Sequence, residues 1–431
     1  MHSKFRPSVL CLLAILGFAP AVNATWSIII ADRETKEVAI GSATCLTNFN
    51  LKLRLPVVLV DVGAAAAQSA IDTTGNNRLV IWNQLLAGTP PVEILPILQA
   101  QDNAHQSRQY GIVDTRGRAA TFSGANNGPY ANGLTGVHGN LVYSIQGNVI
   151  TGQPVLEQAE SAILNTPGDI PEKLMAAMEA ARDMGGDGRC SCAPNDPTGC
   201  GSPPPAFDKS AHVGFMIVAR RGDTDGECTW NRGCANGIYF LRINIANQAE
   251  TDPDPVNQMR ERFDQWRSEM IGVPDAVAST VAFTPERVLN DGQSASTMHV
   301  EIKDWQGQPA LGIKDLTVSH DEGSAGSCAI GVPVDLGGGI FEVTLVAGAI
   351  TGRDRIVVRV TDTSGTERFL IPNGILRIVN HRADLDADGD VDMADLRLLL
   401  EAYGLSAAGD LSGDGDTDLQ DLAEMLSNLT P

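Results

Sequence analysis

The stretch TWSIIIADRETKEVAIGSATC, residues 25–45, decides how the first and largest part of the chain folds. It holds two β-rich runs joined by the polar segment RETK, and this pattern predicts a β-hairpin. Cys45, the last residue of the second run, is expected to be a buried strand residue. Further strand-like runs along the chain alternate with segments that carry apolar residues at helical spacing. The strand-like runs are LPVVLVDVGAAAAQS (55–69), YGIVDTRGRAATFSG (110–124), HVGFMIVARRG (212–222) and GIYFLRINIA (237–246), and the helical ones are VEILPILQAQ (92–101), PEKLMAAMEAARDM (171–184) and DPVNQMRERFDQWRSEM (254–270). Residues 25–272 are therefore predicted to form a layered α/β sandwich.

The composition excludes two classes of protein. Hydrophobic residues make up 43% of the 431 residues, which is enough for packed cores. Asp and Glu number 52 against 31 Lys and Arg, so the net charge is -21 and the basic face of a nucleic-acid binder is missing. The chain has no apolar run of about 18 residues, so we expect no membrane span.

The first 24 residues predict export. Lys4 and Arg6 precede an apolar run over residues 9–19, and Val22-Asn23-Ala24 offers the small residues that a signal peptidase reads. A buried N-terminal helix is the alternative. Cleavage of a signal peptide over residues 1–24 would make Thr25 the first residue of a secreted protein, either periplasmic or extracellular.

A threonine at a free N-terminus carries its own base. The α-amine titrates at about 7.7–8.0, close to working pH, and can accept the proton of the hydroxyl group. Thr25 is therefore the predicted nucleophile. Asn148 follows a strand, where its amide could donate to an oxyanion. Arg108 and Asp187 are candidates for substrate binding, and Asp187 could instead orient the α-amine. Each of these three residues has a structural alternative. Asn148 could satisfy the backbone of a turn, Arg108 could form a surface ion pair, and Asp187 could lie at a solvated helix end.

Five segments in the first part resemble the domain-of-unknown-function 1028 family over nearly all of residues 25–272. They are TWSIIIAD, SRQYGIVDTRGRAATFSG, YSIQGNVITGQPVL, EAARDMGGDGR and DPDPVNQMRERF. The resemblance implies an αββα sandwich like that of the Ntn hydrolases, with no cofactor in this domain. The family has no established activity. Residues 190–207 look like a cysteine-rich insertion in the family pattern.

Seven cysteines follow the predicted signal peptide, at positions 45, 190, 192, 200, 228, 234 and 328. Disulfides are the default in an exported chain. Cys228 and Cys234 close a short loop and are the first predicted pair, and Cys200 is expected to pair with Cys190 or Cys192. The odd count leaves at least one thiol unpaired. A zinc site is the alternative use of these thiols.

The sequence pattern of residues 276–380 differs from that of the first part. Strand-like runs alternate with turn signals and show no helical period, which predicts an all-β sandwich of immunoglobulin-like size. The segment VEIKDWQGQPALGI (300–313) resembles bacterial immunoglobulin-like modules. We expect a spacer or an adhesive surface here.

The tail, residues 381–431, carries two acidic loops, DLDADGDVDMAD (384–395) and DLSGDGDTDLQD (410–421). Each has oxygen side chains at loop positions 1, 3, 5, 9 and 12 and glycine at position 6, which is a pattern that binds Ca²⁺. The predicted ligands are Asp384, Asp386, Asp388, Asp392 and Asp395 with the backbone carbonyl of Asp390, and Asp410, Ser412, Asp414, Asp418 and Asp421 with the carbonyl of Asp416. A solvated acidic tail is the alternative.

These two repeats, each with apolar residues for a short helix, resemble a type I dockerin. The resemblance implies two Ca²⁺ ions and a cohesin-type partner on a scaffold or surface, often in polysaccharide-degrading complexes. Ser412 is a weaker ligand than Asp, so the second site is expected to bind Ca²⁺ less tightly.

Two functions follow from these features. The first is a secreted amidohydrolase that uses Thr25 on a small amide or peptide-like substrate. The second is a non-catalytic exported protein in which the α/β part is a binding module, the β-sandwich a spacer and the tail an anchor.

Overall fold

The computed structural model describes residues 24–324 and 326–430. The predicted signal peptide lies outside the described residues except for Ala24. The described chain has three parts, an α/β part, a β-sandwich and a small helical tail. Among the described residues, no helix combines the length and the apolar character that crossing a membrane requires.

The described α/β part begins at Ala24 and ends after helix α7. Its strands are β1 (Thr25–Asp32), β2 (Val38–Thr44), β3 (Pro56–Leu59), β4 (Gly63–Ser69), β5 (Arg108–Asp114), β6 (Ala119–Ser123), β7 (Ala131–His138), β8 (Leu141–Asn148), β9 (Val213–Ala219) and β10 (Leu241–Ile245). Its helices are α1 (Leu51–Arg54), α2 (Asn76–Leu86), α3 (Pro91–Gln101), α4 (Pro154–Asn165), α5 (Ile170–Asp183), α6 (Gly188–Ser191) and α7 (Pro255–Glu269).

The strands form two antiparallel sheets that pack face to face. The larger sheet has the order β10-β9-β2-β1-β8-β7, and the smaller has the order β3-β4-β5-β6. Ile29, Ile40, Val58 and Phe215 lie in the core between them. Helices α4, α5 and α7 cover the outer face of the larger sheet, and α2 and α3 cover that of the smaller. This is the αββα layering that the sequence predicts.

The central strands explain why TWSIIIAD reads as a continuous apolar run. Every residue of β1 from Thr25 to Ala31 is buried, and so is the whole of β2. A strand that is covered on both faces has no solvent side to carry alternating polar residues. The predicted hairpin forms as β1 paired with β2.

Three disulfides tie the α/β part together. Cys228 pairs with Cys234, and Cys192 pairs with Cys200, which agrees with the predicted pairs. The interpretation of Cys45 as a plain buried strand residue is wrong, because Cys45 bonds to Cys190 across 145 residues. All six of these sulfurs are consumed, so the alternative of a zinc site made of these thiolates does not apply. Among the described residues, Cys328 is the free thiol.

The second part is a sandwich of two five-stranded sheets. Its strands are β11 (Thr280–Thr284), β12 (Arg287–Leu289), β13 (Ala295–Glu301), β14 (Ile313–His320), β15 (Cys328–Ile330), β16 (Val334–Gly337), β17 (Ile340–Ala347), β18 (Gly352–Asp362), β19 (Glu367–Phe369) and β20 (Gly374–Val379). One sheet has the order β11-β13-β17-β15 with β16 on β17, and the other has the order β12-β20-β18-β14 with β19 on β18. Met298, Val343, Val358 and Leu376 are buried between them.

The tail places a short helix after each acidic loop. These helices are α8 (Met393–Ala402) and α9 (Leu419–Asn428), and they pack around a small core that includes Leu399 and Met425. Each begins with a capping box, with Asp392 and Asp418 as the N-caps.

Candidate functional site

Thr25 starts the central strand of the larger sheet, between β2 and β8. The register of β1 on β8 sets Asn148 directly opposite Thr25. Thr25 is only 3% exposed, and Ala24 before it is fully buried. Thr25 and Asn148, the two predicted catalytic residues, are therefore neighbours across one strand pair.

Three donors surround the carbonyl oxygen of Ala24. Thr25 Oγ1 donates to it at 2.6 Å, and Arg189 Nη2 donates at 3.1 Å. Thr44 Oγ1, at the end of β2, also donates to this oxygen. The Ala24 carbonyl thus marks a place where a carbonyl group lies beside the Thr25 hydroxyl and is polarised by a cation. Charge that develops on such an oxygen is stabilised by donors that are already in position.

Asp187 holds the guanidinium of Arg189 in this place. Its carboxylate is fully buried and lies 2.8 Å from Arg189 Nη2. Its Oδ2 also accepts a hydrogen bond of 2.7 Å from the backbone N–H of Cys45. Asp187 is the N-cap of α6, and the disulfide of Cys190 fastens this short helix to the end of β2. In the structure Asp187 therefore orients Arg189, although the sequence suggests a substrate contact for it.

On the other side of Thr25, a network of neutral side chains fixes the backbone. Gln68 Nε2 donates to the carbonyl oxygen of Thr25 at 2.9 Å and to Gln109 Oε1 at 2.8 Å. Ser27 Oγ donates to Gln68 Oε1 at 2.5 Å, and its hydroxyl lies 2.8 Å from Ser42 Oγ. This buried network joins the two sheets beneath the candidate nucleophile and gives it a fixed position.

The amide of Asn148 is engaged at the end of β4. Its Nδ2 donates to Ser69 Oγ at 3.2 Å and to the Asn127 carbonyl at 3.4 Å. Ser69 Oγ in turn donates to Asn127 Oδ1 at 2.9 Å. Asn148 thus lies opposite Thr25 across the strand pair, and its Nδ2 has Ser69 and Asn127 as partners.

Arg108 belongs to a group of three arginines beside Gln68. Its Nε forms an ion pair of 2.7 Å with Asp102, which lowers the pKa of Asp102 to about 2. Arg54, Arg78 and Arg108 line one small cavity. Burial, and then the neighbouring Arg54, lowers the pKa of Arg78 to about 10. Within the described chain neither Arg54 nor Arg78 has a carboxylate at ion-pair distance. Asp72 also lines the cavity and Asp102 pairs with Arg108, so three cations face two carboxylates and one positive charge is left over.

Sequence reasoning missed Arg189, Thr44 and Gln68. Thr44 could have been found by pairing residues outward from the RETK turn. The hairpin register pairs Trp26 with Ala43, so the next residues, Thr25 and Thr44, lie at the same end of the hairpin. Arg189 stands in the segment EAARDMGGDGR, but no local pattern says that it reaches strand β1. Gln68 and Ser69 are the polar residues at the end of the strand GAAAAQS, and polar residues in an otherwise apolar strand are themselves a signal.

In the tail, both acidic loops adopt the same backbone arrangement. Asp395 Oδ1 accepts the backbone N–H groups of Leu385 and Asp386, at 2.6 and 3.1 Å. Asp421 Oδ1 accepts those of Leu411 and Ser412, at 2.8 and 2.9 Å. The last carboxylate of each loop therefore folds back onto its first turn.

Carboxylate oxygens converge in the first loop. Oxygens of Asp384, Asp386 and Asp395 lie within 4.8 Å of one another, and so do those of Asp390, Asp392 and Asp395. Burial, and then the nearby Asp395, raises the pKa of Asp384 to about 6. A hard divalent cation fits this donor set, because it would offset the mutual repulsion with oxygen ligands. Among the described residues, the second loop brings no three such groups together, and Ser412 stands there in place of Asp386.

Comparisons with known proteins match the α/β part and the β-sandwich to two different families. Residues 25–193 match the family of unknown function DUF1028, and residues 275–369 match domain 3 of invasin. A crystal structure from Silicibacter pomeroyi with the same DUF1028 family model is 19% identical, with a TM-score of 0.40, and the match covers 56% of this chain and 88% of that one. InvD of Yersinia pseudotuberculosis is 20% identical, with a TM-score of 0.19, and the match covers 23% of this chain and 27% of that one. No curated protein matches the chain. Residues 25–193 therefore match the model of the DUF1028 family, whose function is unknown, and the match to domain 3 of invasin follows them.

Proposed function

We propose that this protein is a secreted N-terminal-nucleophile amidohydrolase that acts through Thr25 and is attached to a partner by a calcium-binding, dockerin-like tail. The observation that carries the catalytic part is the carbonyl of Ala24, which lies 2.6 Å from Thr25 Oγ1 and accepts hydrogen bonds from Arg189 and Thr44. Once residues 1–24 are removed, the same donors become available to the carbonyl of a substrate.

The reaction then needs only groups of this chain and water. The α-amine of Thr25 accepts the hydroxyl proton while Oγ1 adds to the amide carbonyl of the substrate. Arg189 and Thr44 stabilise the oxyanion, and Asn148 is a further donor within reach. The proton passes to the leaving amine, and the acyl group remains on Thr25 as an ester. Water, deprotonated by the same α-amine, then releases the acid.

The three arginines indicate the kind of substrate. Arg54, Arg78 and Arg108 lie beyond Gln68, which contacts the backbone of Thr25. A substrate that carries a carboxylate near its amide bond, such as an N-acyl amino acid or a short peptide, would offset the one positive charge that Asp72 and Asp102 leave over in this cavity.

Two measurements test the catalytic proposal. Intact-mass analysis of the secreted protein should give an N-terminus at Thr25. An amide-directed activity-based probe should then label the wild type and the Thr25→Ser variant but not Thr25→Ala. A mature chain that begins at another residue, or labelling that survives Thr25→Ala, would exclude Thr25 as the nucleophile.

The calcium part is supported by the converging carboxylates of the first loop. Calorimetric titration of the whole protein should show two sites, the tighter one lost in Asp384→Ala and the weaker one lost in Asp410→Ala. Binding to a cohesin-type domain should require Ca²⁺. A wild-type protein that takes up no Ca²⁺ would refute this part of the proposal.

The second candidate function is a non-catalytic, surface-attached binding protein. The deep burial of Thr25, at 3% exposure, favours it, because a substrate has little room to approach. Probe labelling of the mature protein separates the two, since a binding module would remain unlabelled under all conditions.

A further inference from the structure

One edge of the β-sandwich gathers three side chains of different ligand chemistry. His320 ends β14 and Asp354 lies in β18, and these strands belong to one sheet. Cys328 begins β15, which belongs to the other sheet. Ligand atoms of the three side chains all lie within 4.8 Å of one another. The cluster therefore bridges the two sheets.

Asp354 has one oxygen, Oδ2, to which no N–H or O–H group of the described residues donates, and the thiol of Cys328 hydrogen-bonds to the carboxyl group of Asp354. The residue is fully buried. Its Oδ1 accepts a hydrogen bond of 2.9 Å from Ser324 Oγ and lies 2.8 Å from His320 Nδ1. The Oδ2 oxygen is buried within the part of the chain that the structure describes. A thiol is a weak donor for a buried carboxylate, so a further positive group between the Cys328 sulfur and Asp354 would stabilise this place.

The ring of His320 is oriented as a metal ligand would be. Its Nε2 lies 3.1 Å from the carbonyl oxygen of Cys328, and its Nδ1 lies against the carboxylate of Asp354. Metal-binding histidines ordinarily donate the N–H of the second ring nitrogen to a carbonyl or carboxylate group, which fixes the ring. With Nε2–H donating to Cys328, a cation can replace the proton between Nδ1 and Asp354.

The cluster does not fit a cysteine nucleophile. His320 contacts the backbone carbonyl of Cys328 and makes no hydrogen bond to its thiol. Burial, and then Asp354, raises the pKa of the thiol, whereas a reactive cysteine needs a lowered pKa. A sulfur, an imidazole nitrogen and a carboxylate oxygen together are instead the donor set of a borderline-soft divalent ion.

We propose that Cys328 Sγ, His320 Nδ1 and Asp354 bind one zinc-class divalent cation that joins the two sheets of the β-sandwich. The imidazole side of the site reaches the surface, because the side chain of His320 is 41% exposed. A fourth position is therefore open to water. The site differs in chemistry from the tail loops, whose donors are all oxygens and select Ca²⁺.

Cobalt is the probe that tests this site. Co²⁺ added to the chelator-treated full-length protein should give one tetrahedral spectrum per chain with a thiolate-to-metal charge-transfer band, and Zn²⁺ should displace it. Among the described residues the other cysteines form disulfides, so this band reports on Cys328. Cys328→Ser should abolish the band, and Asp354→Asn or His320→Ala should weaken binding by more than about 100-fold.

His299 provides the matched control. It lies in the same sandwich, 3.2 Å from Glu342, with a similar exposure of 40%. His299→Ala should leave cobalt binding unchanged. Because Cys328→Ser could unfold the sandwich, alkylation of the wild-type thiol gives a second readout, and Zn²⁺ but not Ca²⁺ should protect it. A cobalt spectrum without a thiolate band, or alkylation that Zn²⁺ does not slow, would overturn the proposal.

Discussion

Asp187 and Arg189 form the ion pair on which the Thr25 site depends. Asp187 is fully buried, and Arg189 is 16% exposed on its side chain. Removing one charge of a buried pair leaves the other without compensation, which typically destabilises a protein by about 3 kcal/mol or more. We expect Asp187→Asn to lower the free energy of unfolding by about 3 kcal/mol and to reduce probe labelling of Thr25.

Asp183 supplies the control for this change in the same segment. It pairs with Arg182 at 2.7 Å, but its side chain is 59% exposed. Asp183→Asn should change the free energy of unfolding by less than about 1 kcal/mol. Denaturant unfolding of the two variants checks both values. Equal effects would mean that Asp187 has no special structural role.

Single residues also show how far the sequence alone could go. Polarity and position single out Thr25 and Asn148 in the sequence, and the register places them opposite each other, while their catalytic roles stay a prediction. Arg189 could not be named, because its contact with Ala24 spans 165 residues and depends on the fold of α6. Local sequence patterns indicate only local geometry. They therefore cannot predict that a side chain of a helix contacts a strand that is distant in sequence.

The Cys45–Cys190 disulfide joins two elements, the end of β2 and helix α6, and closes a loop of 145 residues. The chain-entropy model gives such a link about 5 kcal/mol, compared with about 2.5 kcal/mol for a loop as short as that of Cys192–Cys200. We expect the double variant Cys45→Ser/Cys190→Ser to lose about twice the stability of Cys192→Ser/Cys200→Ser. Thermal and denaturant unfolding measure this difference, and an equal loss would contradict the loop-length argument.

The first acidic loop should respond to pH in the absence of metal. The pKa of Asp384 is raised to about 6 by burial and by Asp395, from an ordinary value of 3.8. A group with a raised pKa stabilises the fold below its ordinary value, and this stabilisation is lost as the pH rises through about 6. Ionisation should therefore destabilise the metal-free loop by about 2–3 kcal/mol between pH 4 and pH 7.

Hydrogen exchange of the peptide that covers α8 measures this loss of stability. The ratio of its protection in Ca²⁺ to its protection in chelator should increase from pH 5 to pH 7, because Ca²⁺ compensates the ionised carboxylate. Taking the ratio at each pH removes the intrinsic dependence of exchange on pH. A ratio that stays constant would show that Asp384 does not control the stability of the loop.

Elements were easier to predict than their arrangement. The hairpin, the late helix over residues 255–269 and both loop–helix repeats follow from periodicity, turn residues and glycine positions. The order of the larger sheet does not follow from them. Strand β8 pairs with β1 although more than a hundred residues separate the two strands, and β9 pairs with β2 across about 170 residues. Pairing over such distances depends on packing that no short window of sequence contains.

At the scale of the whole molecule, Arg220 connects the α/β part to the β-sandwich. Its Nε lies 2.5 Å from Glu37, and its Nη1 lies 2.8 Å from Asp275 at the start of the second part. All three side chains are nearly inaccessible, and the guanidinium stacks on Phe240 at 3.6 Å. The junction is thus a buried charge cluster, and we expect the two parts to unfold together and not as independent domains.

Replacing Arg220 tests this coupling. Arg220→Met keeps most of the volume but leaves Glu37 and Asp275 as buried carboxylates without their cation, so we expect a loss of about 3–5 kcal/mol in the free energy of unfolding. Burial already raises the pKa of Glu37, and Arg220 is the group that opposes this. The loss should therefore be smaller at pH 4, where protonation relieves the buried charge, and larger at pH 7.

Arg221 is the matched control for this experiment, because it follows Arg220 directly and also reaches both parts. It lies 3.2 Å from Asp61 and donates to Asn373 at 3.0 Å, but its side chain is 32% exposed. Arg221→Met should lower the free energy of unfolding by at most about 1 kcal/mol. Limited proteolysis should cut between the two parts faster in Arg220→Met than in Arg221→Met. If both variants behave like the wild type, the parts are held together by the apolar contacts of the junction, and the charge cluster contributes no coupling.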